Sequence, residues 1–270
     1  MNVEYKMQSS YKNAVVKNDK TIIKNVFIIL PTPKNLINVN QEEVRVLAQQ
    51  ASIDYHRALK TFKKESICIT CSGSPIPEAY FAPNIQPQYV STYCFEELPS
   101  SQYTFIISGH GNENGVGLFS RRIRFTELAN SFKSFPKEVK ESEIHFSFHA
   151  CNSAYFLNKE DEKRAELKSG LKRLDLSPQE LEEKVIKNSY IGHFFRAIKK
   201  QDFKNVSVKG IHGFFSGTIV APVFPLTECK KQHQFDTRQQ EITIDNTEQV
   251  ITNKKFIPYV REFKLAFASQ

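Results

Sequence analysis

Two reactive side chains stand at the ends of apolar runs. His110 nearly closes YTFIISGHG (residues 103–111), and Cys151 closes IHFSFHAC (residues 144–151), 41 positions after His110. A thiol and an imidazole brought together can perform nucleophilic catalysis. The imidazole takes the thiol proton, the sulfur attacks a carbonyl, and the proton later leaves with the displaced amine. Gly109 and Gly111 flank the histidine, and a residue without Cβ lets the backbone approach a substrate closely. The N–H groups of Gly111 and Cys151 are candidate donors for an oxyanion hole.

Other residues offer competing chemistry. His149 lies two positions before Cys151 and shares its face on an extended strand, so His110, His149 and Cys151 outline an alternative zinc site that lacks an evident fourth ligand. A role behind the catalytic groups, or that of a satisfied polar group at the strand end, suits His149 better. His145 shares that face further back and reads as structural. Cys68 and Cys71 are spaced like a metal or redox pair, but no second pair accompanies them, and on a strand positions i and i+3 point to opposite faces. They read as structural thiols.

The elements that must position these groups follow from periodicity. Val26–Leu30 is an apolar run closed by Pro31 and reads as a buried strand. Asn40 reads as the N-cap of a helix over 41–62, with Val44, Leu47, Ala48, Ala51, Tyr55, Ala58, Leu59 and Phe62 at helical spacing and acids in the first turn. Ser66–Cys71 is a second strand, Tyr103–Ser108 a third and Ile144–Phe148 a fourth. Between them, 72–102 carries five prolines and reads as a surface excursion, 112–117 as a turn-rich loop, and Phe125–Phe135 as a short helix. Residues 158–188 alternate in charge and read as an inserted helical pair or a mobile linker, with Ser177-Pro178 a helix start. Ser189–Lys200 is an amphipathic helix and Val206–Ile211 a fifth strand. Extra strands are expected within 218–270, at Glu241–Ile244 and Phe256–Ala266. The order β-α-β-β-α-β-α-β predicts an α/β fold: one domain over 1–270 with a mostly parallel central sheet and helices on both faces. In such sheets ligands and chemistry collect beyond the carboxyl ends of the strands, where His110 and Cys151 fall.

Composition narrows the class. Apolar residues at 40% and charged residues at 24% describe a chain that can bury a core. No run approaches the roughly 20 apolar residues of a membrane helix, and the polar N-terminus has no secretory h-region. Five cysteines at irregular spacing argue against a disulfide framework and fit a reducing compartment. The net charge of +8 is spread along the chain without a basic arm or an aromatic-basic stripe. Nucleic-acid binding is therefore not indicated.

An apolar strand ending in His-Gly, followed by a second ending in Ala-Cys, resembles the caspase-like (clan CD) cysteine peptidases. SGHGNENGVGLFS, the helix FTELANSF and the run HACNS are most similar to the bacterial members: gingipains, clostripain and the self-processing modules of toxins. The likeness follows residues 26–213 in element order. It implies a caspase-like three-layer sandwich and a cysteine endopeptidase with His110 as catalytic imidazole and Cys151 as nucleophile. The spacing of 41 is close to the roughly 50 of caspases. It also implies that the exit of VSVKGIHG (206–213) forms one wall of the pocket for the residue before the scissile bond, with Lys209, His212, Phe214, Phe215 and Ser216 as substrate-binding candidates. An effector delivered into a host cell, or a cytoplasmic enzyme, fits the missing leader. No cofactor is implied, although toxin modules of this kind are switched on by inositol hexakisphosphate. The sequence departs from the pattern in three places. His149 stands where Asp, Glu or Gln is usual, Ala154 where Gly often follows, and the charged stretch 158–188 where caspases carry a cleavable linker. A catalytically inactive binding module on the same fold is the alternative from another class.

Overall fold

The computed structural model describes residues 24–61, 66–83, 85, 102–168, 171–213, 240–252, 256 and 258–260. Strand β1 (Lys24–Leu30) leads through α1 (Gln41–Thr61) to β2 (Ser66–Cys71), and then to β3 (Gln102–Ser108). Three short strands follow: β4 (His110–Asn112), β5 (Gly115–Gly117) and β6 (Arg122–Ile123). Helices α2 (Phe125–Asn130) and α3 (Lys137–Glu141) precede β7 (Glu143–His149). Next come α4 (Lys159–Arg164), the hairpin β8 (Glu166–Lys168) and β9 (Leu171–Arg173), α5 (Pro178–Asn188) and α6 (Tyr190–Lys199). Strands β10 (Asn205–His212), β11 (Gln240–Ile244) and β12 (Val250–Thr252) complete the described elements.

Seven strands form the central sheet in the order β12-β11-β10-β7-β3-β1-β2. The block from β10 to β2 is parallel, and β11 and β12 join antiparallel at the other edge. The fold is therefore α/β with a mostly parallel seven-stranded sheet, as the element order predicts. β1 and β3 are apolar on both faces because helices cover both there, whereas β7 and the first part of β10 alternate apolar and polar residues. Val26, Ile28, Leu30 and Ile106 pack with Val44, Leu47, Ala48 and Ala51 of α1 on one side. Phe27, Ile29, Phe105, Phe146 and Phe148 pack with Leu128 of α2 and Ile191, Phe194 and Ile198 of α6 on the other. Among the described residues no helix is long and apolar enough to cross a membrane.

A phenylalanine ladder fixes the register. Phe27, Phe105 and Phe146 are direct neighbours across β1, β3 and β7. Their rings stack at 5.3 and 5.1 Å, and Phe132 and Phe194 meet the Phe146 ring edge-on at 5.1 and 5.0 Å. Offset and edge-to-face pairs of this kind contribute beyond the area they bury. A slip by one residue would turn every ring to the wrong face, so the ladder also fixes which residues stand level at the strand exits: Ser108 opposite His149.

Several expectations change. The loop at 112–117 is part of a small antiparallel meander, β4-β5-β6. Asn112 Oδ1 accepts from the N–H groups of Asn114 and Gly115 and closes the turn. The stretch 158–188 is a helix, a hairpin and a second helix rather than a helical pair. It is anchored by the Asp161–Lys184 ion pair at 2.8 Å, with Asp161 buried, and by backbone bonds from Leu174 to Pro258 and from Val260 to Lys172. At the C-terminal side β11 appears as expected, but the strand that follows is Val250–Thr252. Asp245 Oδ1 accepts from Thr247 and Gln249 N–H and makes the turn between β11 and that strand; of the strand expected at Phe256–Ala266, Tyr259 makes one antiparallel bridge to Arg173, and 257 and 261–266 lie outside the described residues. Of the proline-rich excursion, Glu78–Tyr80 forms a 3-10 turn, and 86–101 also lie outside the described residues.

Candidate active site

The strand order reverses between β1 and β3, since β2 lies outside β1 while β7 and β10 continue beyond β3. In open α/β sheets, the crevice at the carboxyl ends beside such a reversal is where ligands bind. His110 leaves β3 at that place. Cys151 leaves β7, the strand paired next to β3. The two exits touch through their backbones. Gly109 N–H donates to His149 C=O at 3.4 Å. A Cβ on Gly111 would stand 2.5 Å from Cys151 O and 2.7 Å from Ala150 Cβ. No side chain fits there, so the glycine after the histidine is what lets the Cys151 turn approach.

The turn carrying Cys151 is held by its neighbours. Asn152 adopts φ 53°, and its N–H donates to Gly213 C=O at 2.6 Å. Ser153, fully buried, donates from Oγ to Ala150 C=O and accepts the N–H of Ile211 at 3.1 Å. Ala154 N–H donates to Ile211 C=O. The serine of HACNS thus ties the Cys151 turn to the exit of β10. Cys151 is partly exposed.

His110 lies at the start of β4, opposite Gly117. Its ring meets Phe119 edge-on at 6.1 Å, and the Arg122 guanidinium covers the same phenyl ring at 5.0 Å. Burial, and after it the positive charge of Arg122, hold His110 below the usual histidine range, while Glu43 pulls weakly the other way. At neutral pH the imidazole is a neutral base. Among the described residues it makes no hydrogen bond to Cys151; such contacts commonly close only when substrate is bound.

A second histidine is better fixed. His149 Nδ1 bonds Asp54 Oδ1 at 2.9 Å, and Asp54 is completely buried on α1. Ser108 Oγ donates to Asp54 Oδ2 at 2.6 Å, and Gln50 Nε2 does so at 3.3 Å. Asp54 carries a signal in the sequence, because it falls on the apolar stripe of α1 with Leu47, Ala51 and Ala58, where an acid needs partners. Phe119, Arg122 and Glu43 carry no comparable signal, since their relation to His110 depends on how the meander folds.

The remaining candidates separate. Lys209 lies on β10 beside Ser147 of β7 and reaches Glu241 at 3.5 Å. His212 is fully buried, bonded through Nε2 to Tyr259 C=O at 3.1 Å and stacked on Tyr155 at 5.1 Å. That is the setting of a packed interior ring rather than of a pocket wall. Phe214, Phe215 and Ser216 lie outside the described residues. Cys68 and Cys71 sit on opposite faces of β2, one in each core cluster, and burial pushes both thiols up to about 12, which disfavours the thiolate form. Among the described residues no three His, Cys, Asp or Glu side chains are grouped to hold a metal ion, and His110, His149 and Cys151 do not form the zinc set outlined above. His145 bonds Ser207 and Glu143, which is a structural role. No protein-family model matches the chain, and no curated protein matches it.

Proposed function

We propose that the chain is a cysteine endopeptidase of caspase-like fold, with Cys151 as nucleophile and His110 as the acid–base imidazole. The observation that carries this reading is the contact of Gly111 with the Cys151 backbone at the carboxyl edge of a parallel sheet. It brings the two motif ends to one place.

In the first half-reaction Sγ forms a bond to the scissile carbonyl carbon, and the carbonyl π pair moves onto oxygen. The N–H groups of Gly111 and Cys151 are the donors for that oxyanion. Collapse breaks the C–N bond, and the amine leaves with the proton that the thiol gave to imidazole. In the second half-reaction water gives a proton to His110 and its oxygen attacks the thioester. The C–S bond then breaks, and the proton returns to sulfur. Lys209, Phe214 and Ser216 remain the residues proposed to meet the substrate.

The test is labelling of the full chain by peptidyl acyloxymethyl ketone probes, with N-terminal profiling of a proteome treated with wild type and with Cys151→Ala. We expect labelling and new N-termini that vanish in the variant. Labelling that persists in Cys151→Ala overturns the assignment of the nucleophile. New N-termini absent from both samples favour a binding module on the same fold.

A further inference from the structure

We propose that Arg122 is a specificity-determining residue: its guanidinium takes the carboxylate of an Asp or Glu that directly follows the scissile bond, and the Phe119 ring is the platform beneath that residue. The proposal rests on the reading of Cys151 and His110 as a peptidase pair and adds a preference on the leaving-group side.

The first observation is a cation without a counter-charge. Arg122 is half-buried. Its Nε is buried and has no acceptor. Among the described residues its guanidinium forms no hydrogen bond and no ion pair, and it rests over the phenyl ring of Phe119 at 5.0 Å. A buried N–H left without an acceptor is costly. Glu43, the acid whose charge reaches this corner, is already engaged: its Oε2 accepts from the Ser120 N–H at 2.9 Å and from the Ser120 hydroxyl at 2.7 Å. The exposed Arg121 and Arg124 add to the positive charge around Arg122. A guanidinium presents its donors in a planar fork that matches a carboxylate, so an anionic oxygen pair is the partner that fits.

The second observation is an aromatic ring left in water beside the base. Phe119 is 62% exposed, yet it meets the His110 ring edge-on at 6.1 Å. Arg122 of β6 and His110 of β4 therefore converge on one phenyl ring. Their backbones stand two strand spacings apart, about 10 Å, with His110 opposite Gly117 and Gly117 opposite Arg122. Arg122 comes next after burial among the causes that lower His110, so the cation lies within electrostatic reach of the imidazole. An open ring between a base and an unpaired cation offers apolar surface to the methylene groups of an acid whose carboxylate sits on the cation.

The third observation is the side on which this pair lies. The Cys151 turn is bonded on one flank to the exit of β10, from Asn152 to Gly213 and from Ala154 to Ile211. On the other flank it meets Gly111 of β4, and β5 and then β6 continue from β4. In the proposed reaction His110 hands its proton to the leaving amine. The residue that owns this amine is the one after the scissile bond, and the meander carrying Phe119 and Arg122 borders the imidazole. Lys209, on β10, belongs to the opposite flank and is paired with Glu241 at 3.5 Å.

The test is N-terminal profiling of a proteome treated with the full chain as wild type, Cys151→Ala and Arg122→Gln. The first residue of each Cys151-dependent new N-terminus is the residue that followed the cut. Asp and Glu should outnumber Asn and Gln there by about 10-fold more than they do in the proteome, the scale of a charge-assisted hydrogen bond. That excess should vanish in Arg122→Gln. The proposal is overturned if the Cys151-dependent N-termini carry no such excess, or if the excess survives Arg122→Gln. If Arg122→Gln does not fold or cuts nothing, a second measurement decides, one that needs no turnover. Modification of Arg122 in the wild-type chain by phenylglyoxal, read by mass spectrometry, should be slowed by Glu-Ala amide and not by Gln-Ala amide; equal rates overturn the proposal. The two readings fail separately. Cys151-dependent cleavage without an acidic excess removes the role of Arg122 and keeps the peptidase. No new N-termini, together with protection by the glutamyl peptide alone, removes the peptidase and keeps Arg122 as a carboxylate site.

Discussion

At the scale of single residues, the site holds two imidazoles in different settings. His149 has a carboxylate behind it. His110 has a phenyl edge and a guanidinium nearby, and burial and Arg122 both disfavour its charged form. A base whose protonation is suppressed stays active to lower pH. Removing Arg122 takes away a positive charge and raises the His110 value, so the acid limb of the kcat/KM profile should move to higher pH in Arg122→Gln. Glu43 acts with the opposite sign, and Glu43→Gln should move the same limb to lower pH. In Glu43→Gln the rate on the plateau above the limb should change little. An acid limb that stays in place in both would show that His110 does not carry the proton that limits activity.

At the scale of elements, the site is made by two strand exits and the turns that follow them. The glycine between His110 and Asn112 has no room for a methyl group against Cys151. Gly111→Ala must push the β4 exit away from the Cys151 turn. Overpacking of this kind costs about 1–3 kcal/mol, so the protein should still fold, with a lower melting temperature, while labelling of Cys151 by a peptidyl probe drops out of proportion. Unchanged labelling in a well-folded Gly111→Ala would mean that the approach of the two exits is not needed for the chemistry. Ser153 and the backbone bonds of Asn152 and Ala154 attach the same turn to β10, so the Cys151 turn is held from both neighbouring strands.

At the scale of the whole molecule, the aromatic layer between the sheet and α2/α6 holds the strands in register. Phe146 is 1% exposed and touches rings from β3, the turn after α2, and α6. Phe146→Ala should cost about 3–5 kcal/mol, read as a lower urea midpoint. A cost below about 1 kcal/mol would contradict the placement of this ring at the centre of the core. The polar residues along β7, β10 and β11 belong to the other side of the sheet. There His145, Lys209 and Glu241 are partly exposed.

The sequence by itself determined which segments are strands and helices in the sheet, because apolar runs bounded by Pro and Gly and a period of 3.6 are local signals. It also determined that a histidine and a cysteine stand at two strand ends. It did not determine the meander at 110–123, where each strand is only two or three residues long and carries no periodicity. Nor did it determine the hairpin inside 158–188, where dense charge masks the alternation. Only the tertiary structure decided that β3 and β7 are neighbours and that Ser108 stands level with His149. That pairing is selected by rings from four elements packing together, and no stretch of chain encodes it alone. The same holds for Asp54. Its partner His149 lies 95 residues away, and a buried carboxylate declares itself only once the fold has removed it from water and supplied the donors that make its burial tolerable.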